Sequence, residues 1–165
     1  MTRLLGIDLG ERRIGLAIAD GDGSPARPLQ TIPRGRTQAD DVAALTPIVT
    51  REQVGELVVG LPLEASGEHG PQAELSEAWA NALAAALELT LTLRDERLTS
   101  HVAEERLGPM KRGRSGGPPT RAQREAYRAR VDREAAAIIL QDELDARAAV
   151  QYASPARSQR TETSP

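Results

Sequence analysis

The sequence predicts an α/β domain built on a mixed five-stranded sheet with helices on both faces. Three observations predict it. "LLGIDLGERRIGLAIAD" (4–20) carries two apolar runs joined by a short polar turn, the pattern of a strand hairpin. "GELVVGLP" (55–62) is almost continuously apolar, as a strand covered on both faces must be. "LTLTLR" (89–94) alternates leucine with threonine at period two, and helical stretches separate these runs.

Taken in order, strands are expected over Leu4–Asp8, Ile14–Ala19 and Leu29–Ile32, a three-stranded meander. "TQADDVAALTPIVTREQ" (37–53) reads as a helix capped by Thr37, with acids in its first turn. Pro47 predicts a kink or an early end near Ala44, because a proline inside a helix costs about 3 kcal/mol. After the strand 55–62, a polar loop leads into an alanine-rich helix over Gln72–Leu87. The strand around Leu89, Leu91 and Leu93 follows, then "TSHVAEERL" (99–107) as a helix with a Thr or Ser cap. "GPMKRGRSGGPPT" (108–120) is expected to be a mobile loop. A last helix over Arg121–Ala148 and a disordered tail 151–165 complete one domain, 1–150.

The chain of 165 residues is long enough for a real core, and it contains no cysteine, which excludes disulfides and thiolate chemistry. No apolar run approaches the roughly 20 residues needed to span a bilayer, so a cytoplasmic protein with no membrane partner is expected. Net charge is −3, yet eight of the basic residues fall between Lys111 and Arg133, against the two acids Glu125 and Asp132. Such a cluster is the footprint of a polyanion, a solvated helix face being the plain alternative.

Three acids stand out. Asp8 closes a buried strand, where a carboxylate needs a partner or a task. The pair Asp95-Glu96 ends the fifth strand, at the rim where α/β sheets bind ligands. Alternation puts Glu96 with Thr90, Thr92 and Arg94, and Asp95 with the leucines; Glu96, the longer arm, is the stronger choice and Asp95 remains beside it. On the last helix Val131, Ala135, Ile138 and Ile139 form an apolar stripe, and Asp132 lies next to it, facing the body of the protein. Asp8, Glu96 and Asp132 together could hold a pair of Mg²⁺ or Mn²⁺ ions, which favour oxygen ligands and serve two-metal phosphodiester hydrolysis. The plain alternative is that each acid only pairs with Arg12, Arg13, Arg97 or Arg133. His101 and His69 read as surface and loop residues, and Trp79 as core. Tyr127, among arginines, could stack on a base or simply pack. With 2% aromatics there is no base-stacking platform, so recognition would rest on phosphates, shape and backbone.

The blocks "GIDLGERRIGLAIAD", "VVGLPLEASGEHG", "DERLTS" and "DREAAAIILQDELD" resemble, in that order, the signature motifs of the YqgF/RuvX family, over about residues 3–148. That family is described as Holliday junction resolvases and as pre-16S rRNA nucleases. The resemblance implies an RNase H-like fold and a metal-dependent nuclease acting on nucleic acid, with precursor 16S rRNA ahead of branched DNA. It assigns the acidic positions to Asp8, Asp95-Glu96 and Asp132. Phosphate contacts are expected from Arg12, Arg13, Lys111, Arg112, Arg114, Arg121, Arg124 and Arg128. A homodimer is expected if paired strands of a junction are cut. Lysine is common in the family where this chain has Arg12, and asparagine where it has Glu64, so no contact by that asparagine carries over. A non-catalytic nucleic-acid binder is the second reading. An actin-like nucleotide-binding protein, whose first phosphate loop also places Asp-x-Gly in a hairpin, is the third; it needs two such domains, and this chain has room for one.

Overall fold

The computed structural model describes residues 2–64 and 66–153. Its elements run β1 (Arg3–Leu9), β2 (Arg13–Ala19), β3 (Arg27–Pro33), α1 (Gln38–Glu52), β4 (Val54–Pro62), α2 (Pro71–Leu87), β5 (Thr90–Glu96), α3 (Thr99–Leu107) and α4 (Arg121–Ala153). The five strands form one sheet in the order β3-β2-β1-β4-β5. β1, β2 and β3 are an antiparallel meander and β4 and β5 run parallel to β1, which makes the sheet mixed, as the sequence predicts.

Period-two alternation divides the sheet between two cores. Leu5, Ile7, Ile14, Leu16, Ile18, Leu57 and Val59 pack with Leu45 and Ile48 of α1 and with Trp79, Ala80 and Leu83 of α2. Leu4, Ala17, Ala19 and Val58 face the other way, onto Ala136, Ile139 and Leu140 of α4. Small residues bring α4 close to this second face. A Cβ on Gly6 would stand 2.7 Å from the Cβ of Leu140, and one on Gly15 would collide with the carbonyl oxygen of Asp132. Ala103 of α3 packs on Val131, Ala135 and Ile138, so α3 rides on α4 rather than on the sheet.

Three local expectations are corrected. α1 does not stop near Ala44; it continues through Pro47 to Glu52. Pro47 and Ala43 are both exposed, so the carbonyl left without its proline N–H partner sits on the water side. A capping box between Thr37 and Asp40 secures the other end. α3 has no Thr or Ser cap: its N-cap is Leu98, held in the left-handed region at φ 57°. The segment 108–120 has neither helix nor strand, as a loop should, and contains a hydrogen-bonded turn, with Gly113 N–H donating to Gly117 O and Gly116 N–H to Gly113 O. Finally α4 extends past Ala148 to Ala153, so the predicted tail loses residues 151–153 to helix, and the rest of it lies outside the described residues. Among the described residues no helix is long and apolar enough to cross a membrane.

Candidate active site

Asp8 sits one residue before the end of β1, on the α4 face, and pairs across the ladder with Gly15 of β2. Because Gly15 has no side chain, the backbone of α4 at Asp132 rests against the hairpin at that point. This local packing is what brings Asp132 near Asp8. Burial pushes the Asp8 carboxyl up to about 7, and the Asp132 charge adds to the rise. Asp132 has a cation of its own: Arg13, the first residue of β2, donates from Nε to Asp132 Oδ2 at 2.6 Å.

Glu96 arrives from the far side of β4. Parallel pairing sets Ile7 beside Val59, and Pro62 beside Glu96, so β4 lies between the two acids. Two strand spacings of about 4.8 Å put roughly 10 Å of sheet between their backbones. Both line one cleft of about 310 Å³, floored by Gly60, Leu61 and Pro62 and bounded by the start of α3. Burial is the main cause lifting Glu96 to about 7; the Asp142 carboxylate, within hydrogen-bond reach, raises it further, and Arg94 opposes the rise. Glu96 Oε1 is buried and accepts no hydrogen bond, although Arg94 Nε lies 3.6 Å away. Arg94 is drawn instead towards Glu143 of α4, to which its Nη1 donates at 3.2 Å. Arg147 in turn bonds Glu143 at 2.8 Å and pairs with Glu56, tying β4, β5 and α4 together below the cleft.

The alternation argument separates the acidic pair. Thr92 and Arg94 do face α4, and Glu96 shares their side. Asp95 points elsewhere: its side chain is 55% exposed and its Oδ1 lies 2.8 Å from His69 Nε2. His101 stands at the cleft rim, exposed, with Glu105 3.3 Å away. Asp142 was not singled out in the sequence, although the signal was present. It lies at i+7 from Ala135 and i+3 from Ile139, and therefore continues the apolar stripe of α4 towards the sheet. Among the described residues no three histidine, aspartate or glutamate side chains stand close enough together to enclose a metal ion.

The predicted cations fall into two groups. Arg12, Arg13, Arg121, Arg124 and Arg128 line one groove between the β1–β2 turn and the first turns of α4, with Glu125 its one acid. Lys111, Arg112 and Arg114 are exposed on the 108–120 segment. That segment is held onto α4: Tyr127 Oη donates to Gly108 O at 2.8 Å, Gln123 Nε2 to Arg112 O at 3.3 Å, and Arg124 Nη1 to Pro119 O at 2.6 Å. Tyr127 thus packs and anchors; it lies against the cluster formed by Ala103, Val131, Ala135 and Ile138. Trp79 is core as expected, its Nε1 donating to the buried Asp41 at 2.9 Å.

A family model described as Holliday junction resolvase, RuvX, matches residues 2–146. The chain belongs to the RuvX family. Among its relatives, a protein of Anaeromyxobacter dehalogenans named "Putative pre-16S rRNA nuclease" is 47% identical over 146 residues, covering 88% of this chain and 98% of that one. A protein of Chloroflexus aggregans with the same name is 43% identical over 144 residues, 87% of this chain and 94% of that one. Among solved structures, RuvC of T. thermophilus in complex with Holliday junction substrate superposes with a TM-score of 0.51 at 14% identity, over 90% of this chain and 97% of that chain. The fold of this RuvX chain is accordingly RNase H-like.

Proposed function

We propose that this chain is a metal-dependent nuclease that hydrolyses phosphodiester bonds in structured nucleic acid, with precursor 16S rRNA as its substrate in the cytoplasm. The observation that carries the reading is the pair Asp8 and Glu96. They come from different strands, line one cleft, are both raised to about 7, and have beside them a groove lined by five arginines. Two partly desolvated carboxyls, one with a buried oxygen that accepts no hydrogen bond, have a shortfall of positive charge that a divalent cation fits.

Asp8, Glu96 and Asp132 are the proposed holders of Mg²⁺ or Mn²⁺, two ions being expected, with Asp142 supporting Glu96 from α4. When bound, such an ion supplies Lewis-acid polarisation and counter-charge for phosphodiester hydrolysis. The protein's own part is positioning. Arg12, Arg121, Arg124 and Arg128 grip the phosphate backbone, and Lys111, Arg112 and Arg114 extend that grip along the 108–120 segment. The apolar floor at Leu61 and Ile139 limits water around the acids.

The experiment is cleavage of a precursor rRNA fragment and of a four-way DNA junction, in Mg²⁺ and in Mn²⁺, by wild type and Asp8→Asn. Cutting that disappears in Asp8→Asn while binding persists supports the nuclease. Preference for the junction would favour the resolvase reading, to which the family model's description points and for which a homodimer with two sites is expected. Equal traces from both proteins would leave a nucleic-acid binder.

A further inference from the structure

Arg13 belongs to both halves of the site at once. It lines the arginine groove, and its Nε is bonded to Asp132 Oδ2 at 2.6 Å. Its side chain is 28% exposed and that of Asp132 is 20% exposed, so each retains an open side. Among the described residues the Arg13 side chain makes no other hydrogen bond, whereas the groove around it holds four more arginines and Glu125 against them. Two of those four, Arg12 and Arg128, have side chains that make no hydrogen bond or ion pair among the described residues.

A guanidinium in this position has two competing anions: the Asp132 carboxylate it now holds, and any phosphate entering the groove. Both take the planar fork of arginine, and a phosphate oxygen brings charge that four neighbouring cations also stabilise. The same contact bears on the metal. While Arg13 caps Asp132, that carboxylate offers a divalent cation a neutralised pair rather than a free anion, and the guanidinium charge opposes the cation.

Resting on the nuclease reading above, we propose that Arg13 is a substrate-operated gate: in the free protein it sequesters Asp132, and a nucleic-acid phosphate in the arginine groove draws it away and releases Asp132 to complete the metal site. Arg13 is thus a positioning residue that couples phosphate binding to metal binding. The order is built in, with tight metal binding after substrate rather than before. The chemistry of the trigger is a phosphodiester backbone, since the groove offers cations and no aromatic face.

The test measures Mn²⁺ affinity by calorimetry for wild type, Arg13→Gln and Asp8→Asn, each with and without a nuclease-resistant 2′-O-methyl RNA duplex. Wild type should bind Mn²⁺ weakly alone and about tenfold more tightly with the duplex, the size of effect a charge-assisted contact carries. Arg13→Gln should bind Mn²⁺ about tenfold more tightly than wild type without any duplex, and the duplex should then add less than about twofold. Arg13→Met, which keeps the apolar stem, is the second variant, with the same expected rise should the glutamine variant fold poorly. Substrate-free affinity that stays level or falls in both variants would overturn the gate, as would a duplex effect that survives in them. A purely structural role for Arg13 predicts that loss, never a gain. Mn²⁺ binding that is indifferent to Asp8→Asn would remove the metal site itself, and that outcome is separate from failure of the gate.

Discussion

The backbone carbonyl of Asp132 rests on Gly15, at the rung where Gly15 pairs with Asp8 across the β1–β2 ladder. The approach of helix to hairpin, and with it the approach of two acids, depends on a missing side chain.

Gly15→Ala should therefore cost both stability and activity. A methyl group there has backbone in its way, and overpacking of this kind costs about 2 kcal/mol. Urea unfolding should show that loss. Cleavage per folded molecule should also fall, because α4 can only yield by lifting Asp132 away from Asp8. A folded variant with full activity would show that the spacing is not set here.

Asp8→Asn should stabilise the folded protein at alkaline pH while abolishing cutting. An acid whose folded pKa is raised holds its proton more tightly in the folded state. Its contribution to stability is therefore present below its ordinary value of 3.8 and is lost as pH rises through about 7. The asparagine carries no such loss. In chelator it should be roughly 4 kcal/mol more stable than wild type at pH 8, the rise from 3.8 to about 7 counting about 1.4 kcal/mol per pKa unit. The difference should close towards pH 4, and unfolding curves at the two pH values measure it.

The two neighbouring acids of β5 should separate cleanly. Glu96→Gln removes a carboxylate from the cleft and should lower kcat by at least about 100-fold, in line with loss of a catalytic group. Asp95→Asn weakens an exposed contact with His69 and should stay within about threefold of wild type, as exposed ion pairs contribute little. Single-turnover cleavage of one substrate by both variants distinguishes them.

The arginine groove should reveal itself through salt. Arg128→Ala should weaken duplex binding uniformly across sequences and reduce the slope of log affinity against log salt by about 0.9, one phosphate contact. Binding isotherms at several salt concentrations give the slope. An unchanged slope would place the nucleic acid elsewhere.

Much of this arrangement was legible before any coordinates. Asp8 at the end of an apolar run, Thr37 ahead of an acidic first turn, and the alternation that divides Glu96 from Asp95 are all local patterns, and local patterns survive into the fold. What was hidden is long-range or cooperative. The Arg13–Asp132 contact joins residues 119 positions apart, and the sequence offers Arg13 only as one of four arginines that could pair with the acids. Pro47 misled because propensity carries no knowledge of which side faces water. Asp142 was passed over although it continues the stripe of α4; a charge at an inward position reads as noise until Glu96 is seen across from it.

α4 carries both the grip and the blade of the proposed enzyme. Arg121, Arg124, Arg128, Asp132 and Asp142 stand on a single uninterrupted helix, and at about 1.5 Å per residue the distance from Arg121 to Asp142 is roughly 30 Å. A rod of that kind works as a ruler: Arg124 and Asp132 are about 12 Å apart along its axis, whatever the loops around them do. Where a strand is cut would then be counted from where its phosphates are held, so that cleavage position is measured out along the helix rather than spelled by bases.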